Sequence, residues 1–273
     1  MIEHNITIEN TTETEIKFPV VSPFFGPSLV RLRRGGVQVG RVLFAVRNYL
    51  FPSLFVALLF TTRPHLLFNS ERADWWMDGL GFIVACLGEG CRLLAVGSVS
   101  NIRRGGRHKR VAAEELICTG AFSLCRNPLY VGNLLIFTGL TFIANSYGWY
   151  LLALPLVFVF YWTIILAEED FLAVKFGEHF TNYRQTVCRL LPPRKGLVLK
   201  TRQIRLDCRR ALRKEYGVAC SWISMAIGLL MWERWAAFGY TARRLQIEQL
   251  ALSLGLLFFS YLATACFARL QRR

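Results

Sequence analysis

The stretch SLCRNPLYVGN, residues 123–133, stands between an arginine-rich loop and a long apolar run. An apolar helix entering a membrane needs none of Arg126, Asn127, Pro128 and Tyr130 at its mouth. Either these residues stop one element and start another, or they belong to a site. Working outward, the apolar run 133–144 is followed by the uncharged turn NSYG (145–148), a second apolar run 149–167 and the acid pair Glu168 and Glu169. Two runs joined by so short a turn read as a tight helical hairpin. The open ends of a hairpin lie side by side, so the arginine at one mouth and the acids at the other are expected to meet.

The same segregation runs through the whole chain. Of its 273 residues 53% are hydrophobic and 14% aromatic, yet the formal charge is +15. Apolar residues gather in long runs and Lys and Arg crowd between them, the pattern of a polytopic membrane protein. Four further runs cover 42–60, with Arg47 near its start, 76–99, with Glu89 and Arg92 inside, 216–232 and 250–267. The expected fold is therefore all-α, a membrane helical bundle of about six transmembrane helices including the hairpin, the third span being short. Arg31, Arg33, Arg34 and Arg41, then Arg103 to Arg110, then the segment after the fourth span all fall on one side, which the positive-inside bias makes the cytoplasm. Arg234, Arg243 and Arg244 fall on the other side and weaken the rule locally. Both termini are expected in the cytoplasm. The net charge is thus accounted for by orientation in the bilayer, and nucleic-acid binding is not indicated.

Four regions follow: a disordered or juxtamembrane cytoplasmic tail (1–40), a membrane core (41–193), a basic segment (194–214) and two additional transmembrane helices (215–273). The tail does not read as a cleaved signal peptide, and its NIT and NTT sites would be silent in the cytoplasm. The basic segment holds nine basic residues against Asp207, with Ile204, Cys208, Ala211 and Leu212 at helical spacing. It reads either as an amphipathic stretch laid on anionic headgroups or as a solvated linker. The eight cysteines lack CxxC spacing and several lie inside spans, so they read as small core residues, with no metal site indicated.

Ionisable residues at the edge of a span are costly to desolvate and are kept for a site or an ion pair. The plain alternative is that an acid simply neutralises Arg126 while Pro128 starts a helix at its favoured first turn. The order of motifs adds to this. LICTGAFSLCRNPLYVG (116–132), a hairpin, a Glu pair and FGEHFTNYRQTVCRLLP (176–192) together resemble the core of integral-membrane methyltransferases such as prenylcysteine carboxyl methyltransferase and the phospholipid N-methyltransferases, over residues 76–193. The resemblance implies S-adenosylmethionine as cofactor, held in a cytoplasm-facing pocket. Leu116, Ile117, Phe122, Asn127, Pro128, Leu129, Tyr130 and Glu168 would bind it, and Arg126 and Glu169 would orient the reacting groups around a lipophilic acceptor. Glu169 is alternatively a general base if the acceptor must lose a proton. Glycines 79, 81, 88 and 90 lie in an apolar helix without the spacing of a dinucleotide-binding turn, and close helix packing explains them better.

Three positions depart from the family pattern. Phe122 replaces a Tyr, Asn127 replaces a His, and Ile164 stands where the prenylcysteine enzymes have an arginine thought to meet the substrate carboxylate, which weakens an acidic substrate of that kind. Two other functions stay open at this level: a membrane reductase of steroid or lipid double bonds using NADPH, and a catalytically degenerate scaffold. The two final spans carry no evident chemistry.

Overall fold

The computed structural model describes residues 27–65, 70–99, 115–192 and 204–270. Helices account for the regular structure among them: α1 (Pro27–Thr61), α2 (Glu71–Ser98), a 3₁₀ turn (Gly120–Ser123), α3 (Pro128–Ala144), a π-turn (Trp149–Ala153) running into α4 (Leu154–Thr186), α5 (Cys208–Phe238) and α6 (Arg244–Leu270). Five helices are long and apolar enough to cross a membrane, and α3 is shorter. At 1.5 Å per residue its 17 residues reach about 25 Å, a little under the thickness of a hydrocarbon core. The polytopic helical bundle expected from the sequence is what forms, with each helix extending beyond the apolar run that marked it at one end at least.

Sequence chemistry sets several helix ends. Pro128 occupies the first turn of α3, where a missing N–H costs nothing. Asn145 ends α3 in the left-handed conformation (φ 38°), one of the few non-glycine side chains that tolerates it. Asp207 caps α5 by accepting from the Arg210 N–H at 2.9 Å.

The closest seam lies between α2 and α3. Gly81 packs against Gly139, and Gly88 against Gly132; a Cβ on Gly81 or Gly88 would fall 2.6 Å from the facing glycine's carbonyl oxygen. Gly79 and Gly90 face open space. Of the four glycines read as packing residues, two therefore do that work. α4 packs chiefly on α1, and α5 fits against both α2 and α3. Trp149, fully buried, sits in the middle of the main core with Leu140, Ile143, Trp222 and Leu229, and Phe55 meets it edge-on at 5.3 Å.

Three expectations need correction. The arms of the hairpin share a short turn, but each leans mainly on another helix, α3 on α2 and α4 on α1, because paired glycines let two backbones approach more closely than side chains of ordinary size allow. The basic segment is not wholly separate. Residues 193–203 lie outside the described residues, but 208–214 are the first turns of α5. Ala211, part of the stripe assigned to the bilayer, is buried beside Gly97, and both the Asp207 N–H (3.0 Å) and Arg210 Nη2 (2.7 Å) donate to the Gly97 carbonyl. Nor is α5 without chemistry. Its Glu215 accepts from Arg92 Nε (2.9 Å) and Nη2 (2.6 Å), and its Trp222 donates to Glu89 at 3.1 Å. The charges inside the second span are thus answered by α5 across the bundle, and Arg92 also donates to Asn133 of α3. All eight cysteines are free.

Candidate active site

The mouth of α3 and the far end of α4 do meet. Arg126 donates through Nε (3.0 Å) and Nη2 (2.9 Å) to Glu169 Oε1, and through Nη1 to the carbonyls of Arg184 (2.9 Å) and Val187 (2.7 Å). Its own backbone N–H donates to the Cys188 carbonyl at 2.9 Å. Arg189 closes the cluster from the other side, donating to both oxygens of Glu169 (3.1 and 2.7 Å) and stacking over Trp162 at 4.8 Å. Two guanidiniums sharing one carboxylate is a strong, geometrically fixed arrangement.

The chain reaches this geometry because α4 bends. Gly177 lies inside the helix at φ 52°, ψ −118°, backbone that a residue with a Cβ adopts only under strain. The bend turns residues 178–189 back beneath the mouth of α3. There Phe180, Tyr183 and Val187 form a small core that Leu116, Cys118 and Leu172 pack against. The Tyr183 hydroxyl donates to the Phe122 carbonyl at 2.7 Å, and Asn127 Nδ2 donates to the Arg189 carbonyl at 3.1 Å. Asn127, in the position of the family's His, thus engages by a side-chain hydrogen bond, while its own carbonyl accepts the Tyr130 and Val131 N–H groups that open α3.

One helical turn on, the Tyr130 hydroxyl donates to Glu168 Oε1 at 2.7 Å, and its ring lies 5.5 Å from that of Tyr161. The two members of the acid pair therefore have different surroundings. Glu169 is buried and gripped by two arginines, while Glu168, half-buried, meets a tyrosine hydroxyl. Pro128 is buried beside this pair, and Ile117, Phe122 and Leu129 are half-buried. Burial pushes the nearby Cys125 thiol up to about 11, against which the Asn127 backbone is a smaller, lowering influence.

Of the residues singled out from sequence, Arg126 with Glu169, and Tyr130 with Glu168, are brought into direct contact. Leu116, Phe122 and Asn127 are tied to the segment after Gly177. Ile164, whose arginine counterpart was of interest for the acceptor, is fully buried in the protein. Tyr161, Tyr183 and Arg189 were not singled out. Tyr183 and Arg189 lie in the quoted tail 176–192, so the motif contained them, but nothing in their spacing showed that the Gly177 bend returns them to Arg126. Tyr161 is one of three hydroxyl-bearing residues in the apolar run 149–167, with Tyr150 and Thr163, a weak signal.

Residues 80–179 match the family model described as phospholipid methyltransferase, a little over a third of the chain. That segment holds the glycine seam, the mouth of α3, the hairpin and both acids, and ends just after the bend at Gly177. Neither the curated proteins nor the solved structures yield a match.

Proposed function

We propose that this protein is an S-adenosylmethionine-dependent methyltransferase embedded in a membrane, with both termini cytoplasmic, acting on a lipophilic acceptor. The observation that carries the reading is the Tyr130 to Glu168 hydrogen bond beside the Arg126–Glu169–Arg189 cluster. It gathers the doorway motif and the acid pair into one site, within the segment that matches a methyltransferase family.

The donor set suits the cofactor. Its sulfonium and ammonium call for an anion, which Glu168 supplies, and its adenine for apolar walls, which Leu116 and Phe122 offer; Asn127 and Tyr130 add polar contacts. When bound, the cofactor supplies an electrophilic methyl group. The protein's task is then to hold donor and acceptor in line and exclude water. Glu169, already accepting four hydrogen bonds from two arginines, acts by holding the mouth of α3 to the tail of α4 and so fixing Glu168 and Tyr130 in place. A general-base role would need one of those bonds released. Arg205, Arg209 and Arg213, exposed beside exposed Leu206 and Leu212, would meet anionic headgroups.

The test is binding of methyl-labelled S-adenosylmethionine to the purified full chain in detergent. Saturable binding is expected, weakened roughly tenfold or more by Glu168→Gln, which removes the charge from a charge-assisted contact. Absence of saturable binding, or a Glu168→Gln protein that binds as well as the parent, would overturn the proposal. NADPH binding in its place would favour the reductase.

A further inference from the structure

At the end of the bundle opposite Glu169, where α2 begins and α5 finishes, lies a second cluster of charge that the proposed methyl transfer does not use. Asp74 and Glu233 are fully buried, and Asp78 is mostly so, its side chain 15% exposed. One oxygen from each of the three carboxylates lies within 4.8 Å of the others. Arg234 is paired with two of them, at 3.5 Å from Asp74 Oδ2 and 3.0 Å from Asp78 Oδ2. Asn145, in the hairpin turn, donates to Asp74 Oδ1 at 2.7 Å and accepts from the Tyr150 hydroxyl at 3.3 Å.

Arg234 thus pairs with only two of the three carboxylates, and with Asp74 only through a 3.5 Å ion pair. Both oxygens of Glu233, Asp74 Oδ2 and Asp78 Oδ1 are buried without a hydrogen-bond partner. Buried carboxylates persist when paired or when they coordinate a metal, and an unanswered one is strongly destabilising or is neutralised by a proton. Glu233 is the informative residue: it comes from a different helix, is fully buried, and directs its unpartnered carboxylate at Asp74 and Asp78. The spacing has a natural occupant. Oxygens gathered within 4.8 Å of one another need only small side-chain adjustments to reach a single ion at about 2.4 Å, the calcium–oxygen distance. A set made only of carboxylate oxygens selects a hard divalent cation over zinc or copper.

We infer that Asp74, Asp78 and Glu233 form a divalent-cation site at this end of the bundle, binding Ca²⁺, Mg²⁺ or Mn²⁺. The ion balances the charge that Arg234 leaves over. It ties the start of α2 to the end of α5, and through Asn145 and Asp74 it also secures the hairpin turn. The competing occupant is a proton shared between the Glu233 and Asp74 carboxyls, which approach closely enough for one. The two occupants give different experimental results. The full chain, purified in detergent and stripped with EDTA, is titrated with Mn²⁺ and followed by electron paramagnetic resonance, with Ca²⁺ and Mg²⁺ as competitors and thermal unfolding read in parallel. One saturable Mn²⁺ per chain is expected, with a melting temperature that rises as the ion is added. Glu233→Gln and, separately, Asp78→Asn should each lose both responses. Glu233→Gln should also melt higher than the EDTA-treated parent, since it removes an unanswered buried charge. Failure of Mn²⁺ to bind saturably, binding unchanged in both variants, or a stripped parent as stable as Glu233→Gln would overturn the site and leave the shared proton. None of these readouts depends on methyl transfer.

Discussion

Arg126 shows how a single side chain can belong to a candidate site and still be structural. Its guanidinium joins the start of α3 to Glu169 of α4 and to two carbonyls beyond the Gly177 bend, with only 9% of the side chain exposed. Replacing it by Ala would leave Glu169 buried against Arg189 alone and orphan the Arg184 and Val187 carbonyls. Arg126→Ala is therefore expected to destabilise the protein by about 3 to 5 kcal/mol, the range for breaking one side of a buried pair. Arg126→Lys should recover only part of this, because an ammonium cannot reproduce the forked contact. Thermal unfolding in detergent, with Arg41→Ala as control, checks it. Arg41 pairs with Asp170 across an exposed gap (3.1 Å, side chain 58% exposed), and a pair of that kind contributes little. At this scale the sequence carried much of the site, because Arg126, Tyr130 and the two acids are out of place in apolar surroundings. The resemblance gave Glu168 and Glu169 different roles, but their positions alone did not say which partners each would meet. Adjacent on a helix, they point about 100° apart, and only the packed neighbours give one a tyrosine and the other two arginines.

At the scale of elements, the α2–α3 seam rests on glycines two helical turns apart in each partner, 81 with 88 and 132 with 139. Seven residues is close to two full turns, so both glycines of each helix face the same way. A Cβ on Gly139 would sit 2.3 Å from the Gly81 carbonyl oxygen and 2.7 Å from the Ala85 nitrogen, backbone atoms that cannot swing aside. Gly139→Ala is expected to lower stability by about 1 to 3 kcal/mol as α2 and α3 are forced apart. Gly90→Ala, a helical position open to space, is expected to raise it by roughly 0.5 to 1 kcal/mol through helix propensity. Melting temperatures of the two variants should therefore move in opposite directions. If both moved alike, close packing would not be the reason for the Gly81–Gly139 contact. The pattern of glycines in an apolar run pointed to close packing, but which two of the four would be used depended on where α3 lies.

For the whole molecule, the last two helices differ in kind. α5 supplies Trp222, Ala226 and Leu229 to the main core and answers Arg92, Glu89 and Asp78 of α2. α6 lies against α5, where Tyr261 stacks on Tyr216, and none of its most apolar window is buried, so most of its surface is left for lipid. A chain ending after residue 243 is expected to stay monodisperse in detergent and to unfold cooperatively. One ending after residue 203 would strip α2 of its charge partners and open the core around Trp149, and is expected to aggregate on gel filtration. Equal behaviour of the two truncations would contradict this division of labour.

The sequence by itself determined the class of fold, since long uncharged runs between basic loops leave the backbone no means of satisfying its hydrogen bonds in lipid except helices. It also determined where the candidate site begins, because polar residues at the mouth of a span are chemically conspicuous. Tertiary structure alone decided which buried charges meet. Arg92 and Glu215 are 123 residues apart, Arg234 and Asp78 are 156 apart, and the Gly177 bend sets Arg189 opposite Arg126. Electrostatic partners inside a bundle are fixed by which helix faces touch, and helical periodicity gives a face without naming its neighbour.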